Sequence, residues 1–223
     1  MDSTRTGSFQ HELDVLIQGL NDLHIPFTER TIGFFRKYLE ILHEYQNRLH
    51  LISRNDYRAI SARHFLPSVL AYHYLENRFR ACDVGAGAGF PSVPLKIVKP
   101  DIRLTLFESV TKKARFLEAL VETLNLPDVR VLNERAEYYT GERFDLVLLR
   151  AVGRIKDMLS TVDRVLAEDG IAIFYKTHEV AEEIAAAQKK LEHMKLVVRV
   201  EKLHTPVTYK PLALVIITRT RMP

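Results

Sequence analysis

The chain has 223 residues, 47% of them hydrophobic, which is enough for one substantial core with or without a helical appendage. No apolar run approaches the ~20 residues that span a bilayer, and no secretory signal is recognisable, so we expect a cytoplasmic protein that does not enter membranes. A single cysteine excludes an internal disulfide, no Cys/His cluster predicts a metal, and a net charge of +4 is compatible with a polyanionic partner without requiring one.

The first third of the chain has the apolar spacing of helices. From residue 8 to 75, apolar side chains recur every three or four positions. Thr28 offers a start for the second of these helices, but position 31 lacks the Glu or Gln of a capping box. Asn55 and Asp56 offer a further start. The sequence therefore predicts a helical N-terminal extension, which we assign to residues 1–78.

From residue 79 the pattern changes to short apolar runs that alternate with amphipathic segments. The predicted strands are RACDV, RLTLFE, VRVLN, FDLVLLRAV, GIAIFYK, KLVVRVEKL and LALVIITR. Helical segments near 92–98, 111–124, 153–166 and 179–192 separate most of them, which predicts a parallel sheet covered on both faces. A loop with Pro206 and Pro211 joins the last two strands, so one strand is antiparallel. We expect an α/β, Rossmann-like domain over residues 79–223, with a mostly parallel seven-stranded sheet.

The stretch CDVGAGAGFP places Gly85, Gly87 and Gly89 in the first strand-to-helix turn of this sheet. Glycine there lets a ligand approach bare backbone, beside the unpaired N–H groups that begin the next helix. Asp83 precedes the turn, where a carboxylate can meet a cationic or amine-bearing ligand, and Glu108 ends the second strand, where it can bind a ribose diol. The third glycine comes one residue too early for the dinucleotide pattern.

Three alternatives follow from this turn. The order acid, G-x-G-x-G and a second acid fits S-adenosylmethionine-dependent methyltransferases of class I better than it fits NAD enzymes. NAD binding and a turn without a ligand remain open.

In such a fold the residues that follow the fourth strand usually border the transferred methyl, and the run FDLVLLRAV delivers Arg150 and Ala151 to this place. Methylation of pyrimidine C5 needs a cysteine nucleophile, and the only cysteine, Cys82, lies in a strand that we expect to be buried. The Asn/Asp-Pro-Pro-aromatic run common in exocyclic-amine methyltransferases is missing. An acceptor with an available lone pair, such as a ring nitrogen, is favoured, because its methylation requires mainly orientation.

Several motifs together are more specific than the glycine turn. They are YLEILHEYQNRLHLIS (38–53), ARHFLPS (62–68), DVGAGAGFPSVPLKIVKPD (83–101), LFESVTKKARFLEAL (106–120), ERAE (134–137) and FDLVLLRAV (144–152). Over most of its length the chain resembles the bacterial 16S rRNA guanine-N7 methyltransferases, the RsmG or GidB family. The resemblance implies that S-adenosylmethionine is the cofactor and that N7 of a guanine in small-subunit rRNA, free or in the small ribosomal subunit, is the acceptor.

The resemblance also implies site residues. It implies cofactor contacts at Gly85, Phe90, Ala136, Glu137 and Arg150, beside the residues read from the turn itself. Glu108 stands where the family more often has Asp. RHxxDS appears as RHFLPS and NLTS as HLIS, so Pro67, His50 and Ile52 depart from the pattern in the part that the family places near the substrate.

We predict that Arg150 is the catalytic residue and that Arg63, His64, Arg154 and Lys176 bind the substrate RNA. Each prediction has an alternative: Arg63 and His64 could cap a helix or pair with acids, and Phe90 could be a core aromatic. A small-molecule methyltransferase on this fold and a non-catalytic RNA-binding protein are the competing functions. We expect a monomer.

Overall fold

A computed structural model describes residues 3–75, 80–177, 179–203 and 212–220, without the side chains of residues 3–8 and 47. The predicted domain boundary at 78–79 and the loop with Pro206 and Pro211 lie outside the described residues. No helix in the described ranges is both long and apolar enough to cross a membrane.

The N-terminal part is helical, as predicted. Its helices are α1 (Ser3–Asp22), α2 (Glu29–Leu49), α3 (Arg54–Tyr57) and α4 (Leu66–Val69), with a π-helical turn at Ser61–Phe65 and a 3-10 turn at Leu70–Tyr74. The prediction that α2 lacks a capping box is wrong. The Thr28 hydroxyl accepts from Thr31 N at 3.2 Å, and the Thr31 hydroxyl accepts from Thr28 N at 3.1 Å, so a second threonine replaces Glu or Gln.

The start predicted at Asn55 and Asp56 belongs to the four-residue helix α3, which Ser53 caps. The Ser53 hydroxyl accepts from Asp56 N at 3.1 Å. The chain continues directly into the π-helical turn, which carries Arg63 and His64. Single π-turns of this kind occur frequently at functional sites.

The sheet has seven strands in the order β3-β2-β1-β4-β5-β7-β6. The strands are β1 (Arg80–Val84), β2 (Arg103–Phe107), β3 (Val129–Leu132), β4 (Phe144–Arg150), β5 (Leu166–Thr177), β6 (Leu196–Leu203) and β7 (Leu212–Arg219). The intervening helices are α5 (Ser92–Val98), α6 (Thr111–Thr123), α7 (Ile155–Val165) and α8 (Ala181–His193). Strand β7 inserts between β5 and β6 and is antiparallel to both, which confirms the predicted mostly parallel sheet with one reversed strand.

Alternating residues of each strand bury the two faces of the sheet in different cores, as the pleat requires. Cys82, Val147 and Phe174 face α7 and α8 in one core. Leu104 and Leu148 face α5, α6 and the N-terminal helices in the other. The N-terminal helices therefore share a continuous core with one face of the sheet, and this packing fixes them against the carboxyl edge of β4. Cys82 is fully buried, as predicted.

Candidate functional site

The carboxyl ends of the parallel strands gather most of the predicted site residues along one edge of the sheet. Asp83 lies near the end of β1, Glu108 follows β2, and Arg150 and Lys176 lie at the ends of β4 and β5. The strand order reverses between β1 and β4, and ligands of open α/β sheets bind at such a switch point.

The three glycines of the first turn all have positive φ, at 73° for Gly85, 57° for Gly87 and 92° for Gly89. They differ in what a side chain would meet. A Cβ at Gly85 would lie 2.6 Å from Val152, and one at Gly89 would lie 2.5 Å from the Tyr38 hydroxyl. A Cβ at Gly87 would meet only the Gly85 carbonyl, at 3.8 Å. Gly85 and Gly89 therefore allow close packing of protein, whereas Gly87 leaves open backbone that a ligand can approach.

Asp83 is fully buried, and only one of its carboxylate oxygens has a partner. Oδ2 accepts from the Ser92 hydroxyl at 2.6 Å and from Ser92 N at 3.4 Å. Oδ1 is buried and makes no hydrogen bond within the described residues. Burial raises the pKa of Asp83 to about 7, against the opposing effect of the Ser92 bonds and of Arg150. A buried carboxylate oxygen without a donor fits an amine or ammonium group of a ligand.

Glu108 closes the other side of the turn. Its Oε2 accepts from Gly87 N at 2.9 Å and its Oε1 accepts from Val110 N at 2.8 Å. The carboxylate thus holds the backbone of Gly87 in place, and each oxygen keeps a second lone pair. This arrangement fits the predicted contact with a ribose diol, since a carboxylate only accepts and both hydroxyls donate.

Phe90 is packed among aromatic rings at the boundary with the N-terminal helices. Its ring is 7% exposed and stacks on Tyr38 at 5.6 Å and on His64 at 4.7 Å between centroids. The Tyr38 hydroxyl donates to the Ala88 carbonyl at 2.6 Å. The Phe90 ring is therefore a core aromatic, which is the alternative to a ring that contacts the cofactor. Any cofactor contact at this position would use the backbone or the ring edge.

Arg150 reaches from the end of β4 into the RHFLPS segment. Its Nη2 donates to the Arg63 carbonyl at 2.8 Å and to His64 Nδ1 at 3.2 Å, and its Nη1 donates to the Ser68 hydroxyl at 3.2 Å. The guanidinium also lies 5.9 Å from the centre of the Phe90 ring. Burial lowers the pKa of Arg150. Its bonded acceptors among the described residues are all neutral, so a partly buried positive charge lies beside Phe90, next to the glycine turn.

His64 is neutral in this setting. Burial first, and then the charge of Arg150, lower its pKa to about 3. The neighbouring Arg63 forms an ion pair with Asp56 at 2.6 Å. Burial alone would raise the pKa of Asp56, but bonds from Arg63 and Ser53 hold it below its usual value. The alternative that Arg63 pairs with a nearby acid is therefore what the structure contains, and its binding to RNA stays a prediction.

Lys176 and Arg154 differ in their surroundings. Lys176 Nζ donates to the Gly153 carbonyl at 2.6 Å and pairs with Glu183 at 2.9 Å. Glu183 also accepts from Ile155 N at 3.0 Å, so the two side chains brace the loop before α7. Arg154 is exposed and forms no ion pair with any described residue. RNA contacts at both positions stay predictions, with Lys176 already neutralised by an acid.

Ala136 and Glu137 lie in a 3-10 turn, Ala136–Tyr138, that follows β3. Ala136 is buried and Glu137 is exposed. Asn133 donates from Nδ2 to the Glu108 carbonyl at 2.8 Å and so ties this turn to the end of β2. No group of three or more potential metal-ligating side chains occurs in the described part of the chain.

Sequence reasoning missed several residues that hold the site. Tyr38 and Ser92 fix the glycine turn, and Ser68 and Asp56 fix Arg150 and Arg63. Ser68 ends the RHFLPS motif, and the motif itself gives no indication of its partners. Only its spacing of four from His64, whose carbonyl accepts the Ser68 hydroxyl at 2.6 Å, could have indicated a local bond.

Comparison with solved structures supports the fold. An S-adenosylmethionine-dependent O-methyltransferase from Thermotoga maritima matches with a TM-score of 0.56 and 14% identity. The match covers 83% of this chain and 72% of that one. An rRNA methylase from Streptococcus thermophilus matches with a TM-score of 0.52 and 11% identity, over 70% and 97%. At such identities the likeness shows the class I methyltransferase fold.

Sequence comparison is more specific. The sequence model of the family described as GidB, rRNA small subunit methyltransferase G, matches residues 32–209. The ribosomal RNA small subunit methyltransferase G of Chloroflexus aggregans is 35% identical over 212 residues, 92% of this chain and 89% of the relative. That of Oenococcus oeni is 34% identical over 189 residues, 81% and 78%. The chain therefore belongs to the rRNA small subunit methyltransferase G family, as its motifs predicted.

Proposed function

We propose that the chain transfers a methyl group from S-adenosylmethionine to N7 of a guanine in 16S rRNA. The observation that carries the proposal is that the glycine turn and the RHFLPS segment of the N-terminal helices meet at the switch point of the sheet. On one side, the Glu108 carboxylate binds the N–H of Gly87, whose backbone is open, and Asp83 precedes the same turn with an unpartnered oxygen. On the other, Arg150 holds the RHFLPS segment of the N-terminal helices against the same edge.

The residues on the first side fit the proposed cofactor. The unpartnered Asp83 Oδ1 suits the ammonium group of its amino-acid part, and Glu108 suits its ribose. Gly87 provides the close approach that a Cβ would block. When bound, the cofactor supplies a methyl group on a positively charged sulfur.

The residues on the second side orient the acceptor. Guanine N7 has a lone pair in the plane of the ring and needs no proton removed, so the protein contributes position and exclusion of water. Arg150 is the residue that connects the two sides, because it arises from β4 and binds the backbone of Arg63 in the substrate-side helices. Ala151, directly after it, has a left-handed φ of 59°, and strained backbone of this kind clusters at functional sites.

The substrate side is also the proposed place of RNA contact, through Arg63, His64, Arg154 and Lys176. The proposal includes a cytoplasmic monomer that uses no metal and takes either free RNA or the small subunit as its substrate. Exposed Arg154 supports a phosphate contact most directly, because its charge is free of the pairing that holds Lys176.

The test is a transfer assay with labelled S-adenosylmethionine and two substrates, purified small-subunit RNA and small subunits that lack the modification. We expect incorporation into one of them and mapping of the label to N7 of one guanine. Titration of the protein with S-adenosylmethionine and with NAD checks the cofactor, and only the former is expected to bind. Label in a base amine, or binding of NAD alone, would overturn the proposal.

A further inference from the structure

His64 has a fixed tautomer, because of its bond to Arg150. The two nitrogen atoms, Arg150 Nη2 and His64 Nδ1, are 3.2 Å apart. A guanidinium has only donors, so Nδ1 must accept. A neutral imidazole that accepts at Nδ1 carries its proton on Nε2. Arg150 therefore makes Nε2 of His64 a permanent hydrogen-bond donor.

This donor has no acceptor within the described residues. Nε2 is covered and makes no hydrogen bond, although His64 as a residue is partly exposed. A buried N–H without an acceptor is costly, so an unsatisfied donor in a native fold calls for an explanation. The stack on Phe90 fixes the ring at the boundary between the N-terminal helices and the glycine turn. An acceptor supplied by a ligand would satisfy the donor there.

The chemistry of the proposed acceptor base narrows the choice. The edge of guanine that contains N7 has two neighbouring acceptors, N7 and O6. N7 must keep its lone pair free for the methyl group, so a donor that recognises this edge has to bind O6. Adenine has an amine donor in place of O6, and it would face the His64 N–H with a second donor.

We propose that His64 donates from Nε2 to O6 of the target guanine and so selects guanine over adenine. This inference rests on the proposed function and adds the residue that reads the base. The donor comes from the substrate-side helices, whereas the groups that fit the cofactor come from the sheet. A neutral donor also suits the neutral O6, while the adjacent Arg150 is the better partner for any anionic group.

Two substitutions separate the nitrogen atoms of His64. In His64→Asn the amide oxygen can replace Nδ1 as the acceptor for Arg150, but nothing replaces the donor at Nε2. In His64→Gln the longer side chain brings an amide N–H near the position of Nε2 and loses the acceptor at Nδ1. His73→Asn, at an exposed histidine of the neighbouring 3-10 turn, is the matched control.

The experiment measures single-turnover methylation of the RNA substrate with guanine or 2-aminopurine at the mapped target. 2-Aminopurine keeps N7 and lacks O6. We expect the parent chain and His73→Asn to prefer guanine by about 10–100-fold, the range that a missing hydrogen-bond partner produces. In His64→Asn the preference should fall below about 3-fold, and His64→Gln should retain part of it, which a role confined to holding Arg150 would not produce.

The outcomes distinguish this inference from the function on which it rests. An unchanged preference for guanine in His64→Asn would overturn the role of His64 and leave the proposed methylation intact. No methylation of guanine RNA by the parent chain would overturn both. Equal loss of cofactor affinity and of rate in His64→Asn, with the preference unchanged, would assign His64 to the cofactor instead of the base.

Discussion

The glycine turn and the Arg150 contact lie at the same edge of the sheet, yet they use their polar groups differently. At the turn, Asp83 has an oxygen without a partner and Glu108 holds backbone N–H groups with lone pairs to spare. At the contact, the guanidinium of Arg150 is already bound to Arg63, His64 and Ser68. The glycine turn has polar groups left over for a ligand. The bonds of Arg150 are used to connect β4 to the RHFLPS segment.

This difference gives two ways to damage the enzyme. Loss of the turn should remove the ligand and spare the fold, because Gly87 touches little protein. Loss of the contact should affect stability and turnover together, because the partly buried carbonyl of Arg63 and the hydroxyl of buried Ser68 would each lose a donor.

The largest expected effect is that of Gly87→Val on cofactor binding. A branched side chain would occupy the open space beside the backbone of residue 87. The left-handed φ of 57° at this position would add about 1–3 kcal/mol of strain for a residue with a Cβ. We expect no measurable binding of S-adenosylmethionine in a calorimetric titration and a folded protein by circular dichroism.

Gly89→Ala is the matched control for the same turn. Its Cβ would lie 2.5 Å from the buried hydroxyl of Tyr38, so stability should fall by about 1–3 kcal/mol. Parent-like cofactor affinity in Gly87→Val would remove the turn from the proposed site.

Arg150→Ala should have the next largest effect. We expect turnover at saturating RNA to fall by about 100-fold and the free energy of unfolding to fall by about 2–4 kcal/mol, as two or more bonds to buried acceptors disappear. Single-turnover rates and urea denaturation measure the two changes.

Arg150→Lys sharpens this prediction, since an ammonium keeps the charge but not the fork that reaches Arg63, His64 and Ser68 together. We expect it to recover little of either loss. If substitution of Arg150 changed only the affinity for RNA and left turnover at saturating RNA unchanged, this would contradict a role of Arg150 at the site of methyl transfer.

The same comparison explains what the sequence could predict. Strand and helix alternation, the reversed strand and the glycine turn depend on local patterns, and the structure confirms them. The partners of Arg150 could not be read from any pattern, since 87 positions separate it from Arg63. The insertion of β7 between β5 and β6 likewise depends on pairing across the sheet rather than on local spacing.

Charged residues were the least predictable part of the site. Lys176 lies at the end of β5 and Arg154 in the loop after β4, so both are basic residues at the same edge, and nothing in their spacing shows which of them is paired. The difference comes from Glu183, seven positions after Lys176 on the next helix, whose carboxylate pairs with one and leaves the other exposed. The predicted roles in cofactor and RNA binding stay predictions at every one of these residues.

Asp83→Asn should change how stability depends on pH. The pKa of Asp83 is raised from 3.8 to about 7 by burial, so the folded state favours the protonated carboxyl. Its stabilising effect is complete below about pH 4 and is lost as the pH rises through about 7. The parent should therefore lose up to on the order of 4 kcal/mol over this window relative to the variant, at about 1.4 kcal/mol per unit of pKa.

Thermal unfolding of both proteins from about pH 3.5 to about pH 8, which spans the whole window, measures this change. Asparagine retains an oxygen for the Ser92 hydroxyl, so the fold should persist. Cofactor affinity should move in the opposite direction to stability, because an ammonium group favours the ionised carboxylate. A pH profile of unfolding identical in parent and variant would contradict the raised pKa.

The smallest expected effect separates the two basic residues next to the cleft. Phosphate contacts release counterions, so each contact adds about one unit to the slope of log affinity for RNA against log salt. Exposed Arg154 should make such a contact, and Arg154→Ala should reduce the slope by about one unit without changing stability. Lys176 is paired with Glu183 and bonded to the Gly153 carbonyl, and it has to leave this pair to reach a phosphate, so Lys176→Met should reduce the slope by less than Arg154→Ala does and should lower the melting temperature. Filter binding of one RNA over a salt series, with thermal unfolding of each variant, measures both. If Lys176→Met reduced the slope and Arg154→Ala did not, the phosphate contact would belong to Lys176, and the ion pair with Glu183 would have to open when RNA binds.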